Sequence, residues 1–128
     1  MAEPREVLRE GYERWSSGDL EAVFGNWHPS ATISRAGGLG EVRGLEEIRA
    51  FVQPDALESQ QFQPLEYLEN GERVAVRCQV TAVGAQTGVS VEQEGWHVWT
   101  FRDGKVAALV VTFERDEALA AAGIDPAA

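Results

Sequence analysis

The dipeptide Asp103-Gly104, set between the alternating runs GWHVWTF and KVAALVVTF, constrains this chain more than any other feature. Asp-Gly supplies two residues that tolerate positive φ, which a two-residue hairpin turn needs if its twist is to match the strands. A loop of that length fixes the pairing: Arg102 opposite Lys105, Phe101 opposite Val106, Trp99 opposite Ala108 and His97 opposite Val110. One face of the hairpin then carries His97, Trp99, Phe101, Val106, Ala108, Val110 and Thr112. The other carries Trp96, Val98, Thr100, Ala107, Leu109, Val111 and Phe113. A hairpin wet on one side is polar on that side, and this one is largely apolar on both. Both faces are therefore expected to be covered, one by helices of the same chain and the other by a second subunit.

The chain before the hairpin changes character once. Residues 4–17 predict a helix, with Pro4 in its first turn and Leu8, Tyr12 and Trp15 on one stripe. Gly18 stops it and Asp19 caps a second helix carrying Leu20, Val23, Phe24 and Trp27 up to His28-Pro29. Ala31–Arg35 is a short strand, followed by a flexible turn at Gly37–Gly40 that leads into Glu41–Arg43. Gly44 begins a third helix with Leu45, Ile48, Phe51 and Val52 as its apolar side, ended by Pro54. From there the period is two. Phe62–Glu69 and Glu72–Val83 are joined by Asn70-Gly71, a connection at Gly84–Gly88 follows, and Val89–Arg102 leads into the hairpin. Arg115–Ala122 closes the chain as a helix with Gly123 as its stop.

Three helices followed by a four-strand meander make an α+β domain. At 128 residues the chain is long enough for a single core, and no repeat or linker divides it, so residues 1–128 are read as one domain. The central strands are about twice the usual length of roughly 5–6 residues. Strands of that length twist and curl, and helices laid across a curled sheet leave a pocket between the two layers.

Charge and composition close off several functions. Eleven basic against twenty-one acidic residues give a net charge of −10, which repels nucleic acid and anionic membranes. Cys78 is the only cysteine, so there is no disulfide framework or thiolate metal site, and His28 and His97 are not at ligand spacing. No metal and no cofactor are expected. The Gly37–Gly40 loop lacks the lysine and following helix of a phosphate cradle. With no signal-peptide pattern and no apolar run of membrane-spanning length, a cytoplasmic protein is the expectation.

The register across Gly84–Gly88 decides which side chains meet a ligand. With Val83 opposite Val89, Gln79 opposite Gln93 and Arg77 opposite Gly95, the face holding His97 also holds Arg77, Gln79 and Gln93. The opposite face then holds Val74, Val76, Cys78, Val80 and Trp96. In one reading the polar set lines a cavity and the valine face meets another subunit. In the other the valine face is the core and Arg77, Gln79 and Gln93 face solvent. A one-residue bulge near Gly95 would exchange them, and the pattern leaves both open.

Several segments together, YERWSSGDL at 12–20, the following HPSATI, GLEEIRAF at 44–51, HVWTFRDGKV at 97–106 and RDEALAAAG at 115–123, resemble the SnoaL-like branch of the nuclear transport factor 2-like (cystatin-like cone) superfamily. The resemblance covers nearly the whole chain. It implies three N-terminal helices on a strongly curved, mostly antiparallel sheet, with a deep pocket on the concave side, a short C-terminal helix, and a homodimer through the convex sheet faces. The family includes ketosteroid isomerases, polyketide cyclases, limonene epoxide hydrolases, dehydratases and non-catalytic binders. The ketosteroid isomerase base aspartate corresponds to Arg35 and its protonated aspartate to His97, while its phenolic donor falls near Gly11, one residue from Tyr12. The Asp–Arg–Asp set of the epoxide hydrolases is not visible. The pocket position is kept and the chemistry of those two enzymes is not.

The residues themselves suggest roles. His97 is the candidate general acid–base, its charge disfavoured by apolar walls. Arg35 and Arg77 are candidates to stabilise an enolate or alkoxide, or to bind a carboxylate, although Arg35 could instead pair with Glu41. Gln79 and Gln93 are candidates to orient a carbonyl or hydroxyl. Tyr12, Trp15, Trp99 and Phe101, with Val110 and Thr112 on the same face, would wall a small apolar or ring-containing ligand. Two functions follow: a cofactor-independent isomerase, cyclase or dehydratase working by proton transfer, or a non-catalytic binding or dimerisation module.

Overall fold

Asp103 and Gly104 both take positive φ, 55° and 79°, so the hairpin turn forms where the sequence places it. The computed structural model describes residues 3–35, 40–52, 57–84 and 86–125. Among these residues the order is α1 (Pro4–Ser16), α2 (Leu20–Phe24), β1 (Trp27–Arg35), β2 (Val42–Arg43), α3 (Leu45–Val52), β3 (Leu57–Asn70), β4 (Arg73–Gly84), β5 (Ser90–Arg102), β6 (Lys105–Thr112) and α4 (Arg115–Ala122). The sheet runs β2-β1-β6-β5-β4-β3. All of its pairings are antiparallel except β1 with β6. Residues 37–39 of the expected glycine-rich turn and the helix stop at Pro54 lie outside the described residues.

The helix ends follow local chemistry. The Asp19 carboxylate accepts from the Ala22 N–H at the start of α2, one of the orphan donors a helix start leaves. Gly123 takes φ 73° after α4, where Ile124 N–H donates to the Leu119 carbonyl, a left-handed stop that favours glycine. Helix α2 is shorter than its stripe suggests. Trp27 and His28 belong to β1, because Trp27 pairs with Val106 on β6 and the Val106 N–H donates to the Asn26 carbonyl.

Two single-residue offsets set the faces of the sheet, and both depart from the expected register. Between Phe101–Val106 and Thr100–Ala108 the strand β6 carries one extra residue, Ala107, so His97 pairs with Val111 and Trp99 with Leu109. Between β4 and β5 the Gly84 N–H donates to the Val89 carbonyl. The loop is therefore 85–88, not 84–88, and His97 pairs with Val76, Cys78 with Gly95 and Arg77 with Trp96. Each slip of one residue moves a strand's whole side-chain set to the other face. A third offset, at Leu65 in the edge strand β3, follows Pro64, which has no N–H to give the ladder.

The concave face consequently joins what the alternation separates. Val74, Val76 and Cys78 of β4 lie with Trp99 and Phe101 of β5, Val106 and Leu109 of β6, and Ala31 and Ile33 of β1 against α1, α2 and α3. The valine face is therefore core, on the same side as His97. Leu8 and Tyr12 of α1, Val23 and Phe24 of α2 and Ile48 of α3 complete it, each large side chain contributing about 1.5–3 kcal/mol on burial. On the convex face Ala75, Trp96 and Val98 pack under Ala118 and Ala122 of α4, and Arg115 lies 5.9 Å from the Trp96 ring centroid. The apolar stretch of this face is thus covered by the chain's own last helix. Beyond α4 the same face is polar, with Arg77 paired to Glu66 at 3.3 Å and Glu94 at 2.8 Å.

Candidate functional site

The site begins where α1 crosses β5. The Leu8–Tyr12–Trp15 stripe turns inward, and Tyr12 comes down beside His97 and Trp99, two of the concave-facing residues of β5. Trp99 Nε1–H donates to the Tyr12 hydroxyl oxygen at 2.8 Å. The same oxygen lies 2.9 Å from His97 Nδ1. An indole nitrogen can only donate, so the phenol oxygen accepts from Trp99. If Nδ1 also donated to that oxygen, the buried phenol hydrogen would have no partner. With the O–H given to Nδ1 every polar atom of the trio is satisfied, which favours the tautomer carrying its hydrogen on Nε2. The three rings hold one another in place, with Tyr12 edge-on to Trp99 at 5.8 Å and nearly parallel to His97 at 5.9 Å.

Burial sets the protonation states. The His97 pKa is pushed down from 6.5 to about 4 by desolvation of the charged ring. Burial, assisted by nearby Cys78 and opposed by the Trp99 hydrogen bond, raises Tyr12 well above the ordinary phenol value. At neutral pH the trio is uncharged. Cys78 behind it is pushed up to about 12 by burial, against the Gln63 backbone hydrogen bond, and is a small apolar filler in this setting.

A cavity of about 120 Å³ opens in front of the trio. It is lined by Tyr12 and Trp15 of α1, Ile33 of β1, Phe51 of α3, Phe62 of β3, His97 and Trp99 of β5, and Leu109 and Val111 of β6. None of these side chains is charged at neutral pH. A smaller space of about 20 Å³ lies on the other side of Tyr12, Trp15 and Trp99, against Gly11, Val23 and Trp27. Among the described residues no cluster of histidine, cysteine and carboxylate side chains could hold a metal, and no helix is long and apolar enough to cross a membrane.

The structure brings together four of the expected site residues: His97, Tyr12, Trp15 and Trp99. The others are elsewhere. Arg77 and Gln79 are on the convex face, Arg77 between Glu66 and Glu94 and Gln79 bonded to Glu92 at 3.4 Å. Val110 and Thr112 are also convex, since the extra residue at Ala107 turns them outward; Thr112 donates to Glu117 at 2.8 Å. Gln93 keeps the parity of His97 but pairs with Val80 toward the far end of β5 and is exposed. Phe101 is concave but buried in the core beyond Trp99, outside the cavity. Arg35 is exposed at the end of β1 with its backbone beside Val111, and Glu41 pairs instead with Arg43 at 2.8 Å.

Five lining residues fall outside the expected set: Ile33, Phe51, Phe62, Leu109 and Val111. Simple alternation puts Leu109 and Val111 on the opposite face, and only the bulge at Ala107 turns them in. Phe51 belongs to the apolar side of α3, yet it is 54% exposed at the cavity's edge. Its place at the end of that stripe is the available signal.

The molecule is thus a cone of curled sheet closed by helices around an apolar cavity bordered by one neutral imidazole. Residues 8–109 match the family profile of the SnoaL-like domain, and the chain belongs to that family. It is similar to a solved NTF2-like protein of unknown function from Burkholderia pseudomallei, with 25% identity over 94% of this chain and 97% of that one and a TM-score of 0.77. TerC, crystallised with polyporic acid, is 25% identical over 85% of this chain and 89% of its own, with a TM-score of 0.73. A protein from Xanthomonas campestris, whose assignment as a polyketide cyclase is provisional, shares the fold at 20% identity, covering 91% and 93% of the two chains with a TM-score of 0.76. Comparison of the sequence with curated proteins gives no significant match.

Proposed function

We propose that this chain binds a small, largely apolar carbonyl compound in the cone cavity and activates it by a hydrogen bond from His97 Nε2–H. The observation that carries the reading is the Trp99–Tyr12–His97 relay, because an Nδ1 that accepts from Tyr12 leaves Nε2–H as a neutral donor on a side chain that lines an apolar cavity. A neutral imidazole held this way polarises a carbonyl and stabilises the oxyanion that grows on it. Isomerisation, cyclisation and dehydration of an enolisable ketone all pass through such an oxyanion.

The division of labour differs from simple base catalysis. A ring whose pKa lies near 4 is a weak base at pH 7, and further protonation of His97 is opposed by the burial that lowered it. Among the described residues no carboxylate or amine lines the cavity. The substrate's α-proton therefore goes to water at the cavity mouth. His97 holds the oxygen meanwhile, and Tyr12 and Trp99 keep the ring from turning.

The test is turnover of enolisable cyclic ketones by wild type, His97→Leu and Tyr12→Phe. Loss of an oxyanion donor costs about 10²–10³-fold in kcat, so His97→Leu should lose that much while still binding. Tyr12→Phe should fall between the two, its ring tautomer no longer fixed. Wild-type rates in His97→Leu would refute the activation step. Saturable binding without conversion of any ketone would favour the second reading, a non-catalytic binding module, which the lack of a carboxylate in the cavity supports.

A further inference from the structure

We propose that the cavity selects a neutral compound of about one six-membered ring with a single hydrogen-bond acceptor, and refuses both anions and fused polycycles. This deepens the proposed function and rests on the same orientation of His97. Size comes first. A dry cavity of about 150 Å³ lined by hydrocarbon accommodates benzene, and the space here is about 120 Å³. One ring fills it. A four-ring skeleton would need the walls to part, and those walls are Trp15, Phe62 and Trp99 in a packed aromatic cluster, Trp15 and Phe62 being 5.1 Å apart.

Shape and polarity narrow the class further. Tyr12, Trp15, Phe51, Phe62 and Trp99 present aromatic surface, which suits a flat or puckered ring. The Trp99 N–H is spent on the Tyr12 oxygen and the Tyr12 O–H on Nδ1, so the relay offers one free N–H donor, and its acceptor sites on Nδ1 and, in part, on the Tyr12 oxygen are already engaged. A ligand hydroxyl would leave its proton without a partner there, whereas a ketone or lactone oxygen needs only a donor. A carboxylate would lose its hydration with no cation among the described lining residues to replace it, and the chain's net charge of −10 adds long-range repulsion. Arg35, which could have reversed that preference, is exposed and outside the lining. Phe51 stands at the edge and is more than half exposed, so it limits length at the mouth without being needed for the core.

Calorimetric titration with four probes tests the selection: cyclohexanone, its isostere methylenecyclohexane, cyclohexanecarboxylate, and a tetracyclic steroid enone. Cyclohexanone should bind saturably, and methylenecyclohexane roughly fivefold more weakly for want of the oxygen. The carboxylate and the steroid should show no saturable binding. In His97→Leu the ketone should lose its advantage over the isostere while the isostere binds as before. In Phe51→Ala a two-ring ketone refused by wild type should enter. The proposal is overturned if cyclohexanone fails to bind, if the carboxylate matches it, or if the steroid binds more tightly. These are binding measurements: one-ring selection without any conversion would sink the activation step alone, and turnover of a polycyclic ketone would sink the selection alone.

Discussion

Acidification reads the burial of His97 directly. The ring titrates near 4 in the folded chain, against about 6.5 when unfolded. Between these values the unfolded state binds the proton more readily, so this group's contribution to stability is complete above the unfolded pKa and is lost as pH falls toward 4. Going from pH 7 to pH 4.5 should remove about 2 kcal/mol through His97 alone, out of a full effect of roughly 3 kcal/mol. Carboxylates titrate in the same range, so the measurement is a difference. Urea unfolding of wild type and His97→Gln is compared at both pH values. The wild type should lose about 2 kcal/mol more than the variant, and an NMR titration of the His97 ring should show no charging above about pH 5. Equal losses in the two proteins, or a ring that charges near its ordinary value, would refute the claim that His97 sits dry and neutral.

Three substitutions probe the scaffold. Tyr12→Phe leaves the Trp99 N–H and His97 Nδ1 without their shared partner and should cost about 2–4 kcal/mol in denaturant unfolding, while a nearly neutral result would break the relay. Asn70→Ala removes bonds to the Ala122 and Gly123 carbonyls at the end of α4, 2.9 and 3.1 Å long. It should lower stability by about 1–2 kcal/mol, with faster hydrogen exchange confined to α4. Gly11→Ala places a methyl where nothing lies within 4 Å in the interior of α1 and should raise stability by about 0.5–1 kcal/mol, read as a higher Tm.

Residue for residue, the legible parts are those with local causes. Arg115–Ala122 with its Gly123 stop falls where the pattern puts it, because capping and helix periodicity act within one or two turns. The pattern overextends the second helix because Trp27 continues an apolar stripe, and only pairing with Val106 across the sheet makes it a strand residue. At Asn70-Gly71 the turn itself is Gly71-Glu72, with Asn70 paired to Arg73. That shift leaves the faces unchanged and frees Asn70 to cap α4.

By itself the sequence determined the elements, the α+β layering, the Asp103-Gly104 turn and the inward stripe of Leu8, Tyr12 and Trp15, all through propensity and period. Tertiary structure decided which residues share a cavity. An extra residue at Ala107 and a loop one residue shorter than expected turned Arg77, Gln79, Val110 and Thr112 outward and brought Val76, Leu109 and Val111 to the side of His97. Strand alternation has a period of two, so an offset of one reverses every side chain beyond it, and nothing in the local pattern records that offset. The meeting of Tyr12 with His97 has the same origin. It depends on how α1 crosses the curled sheet, a packing of two layers that neither segment specifies alone.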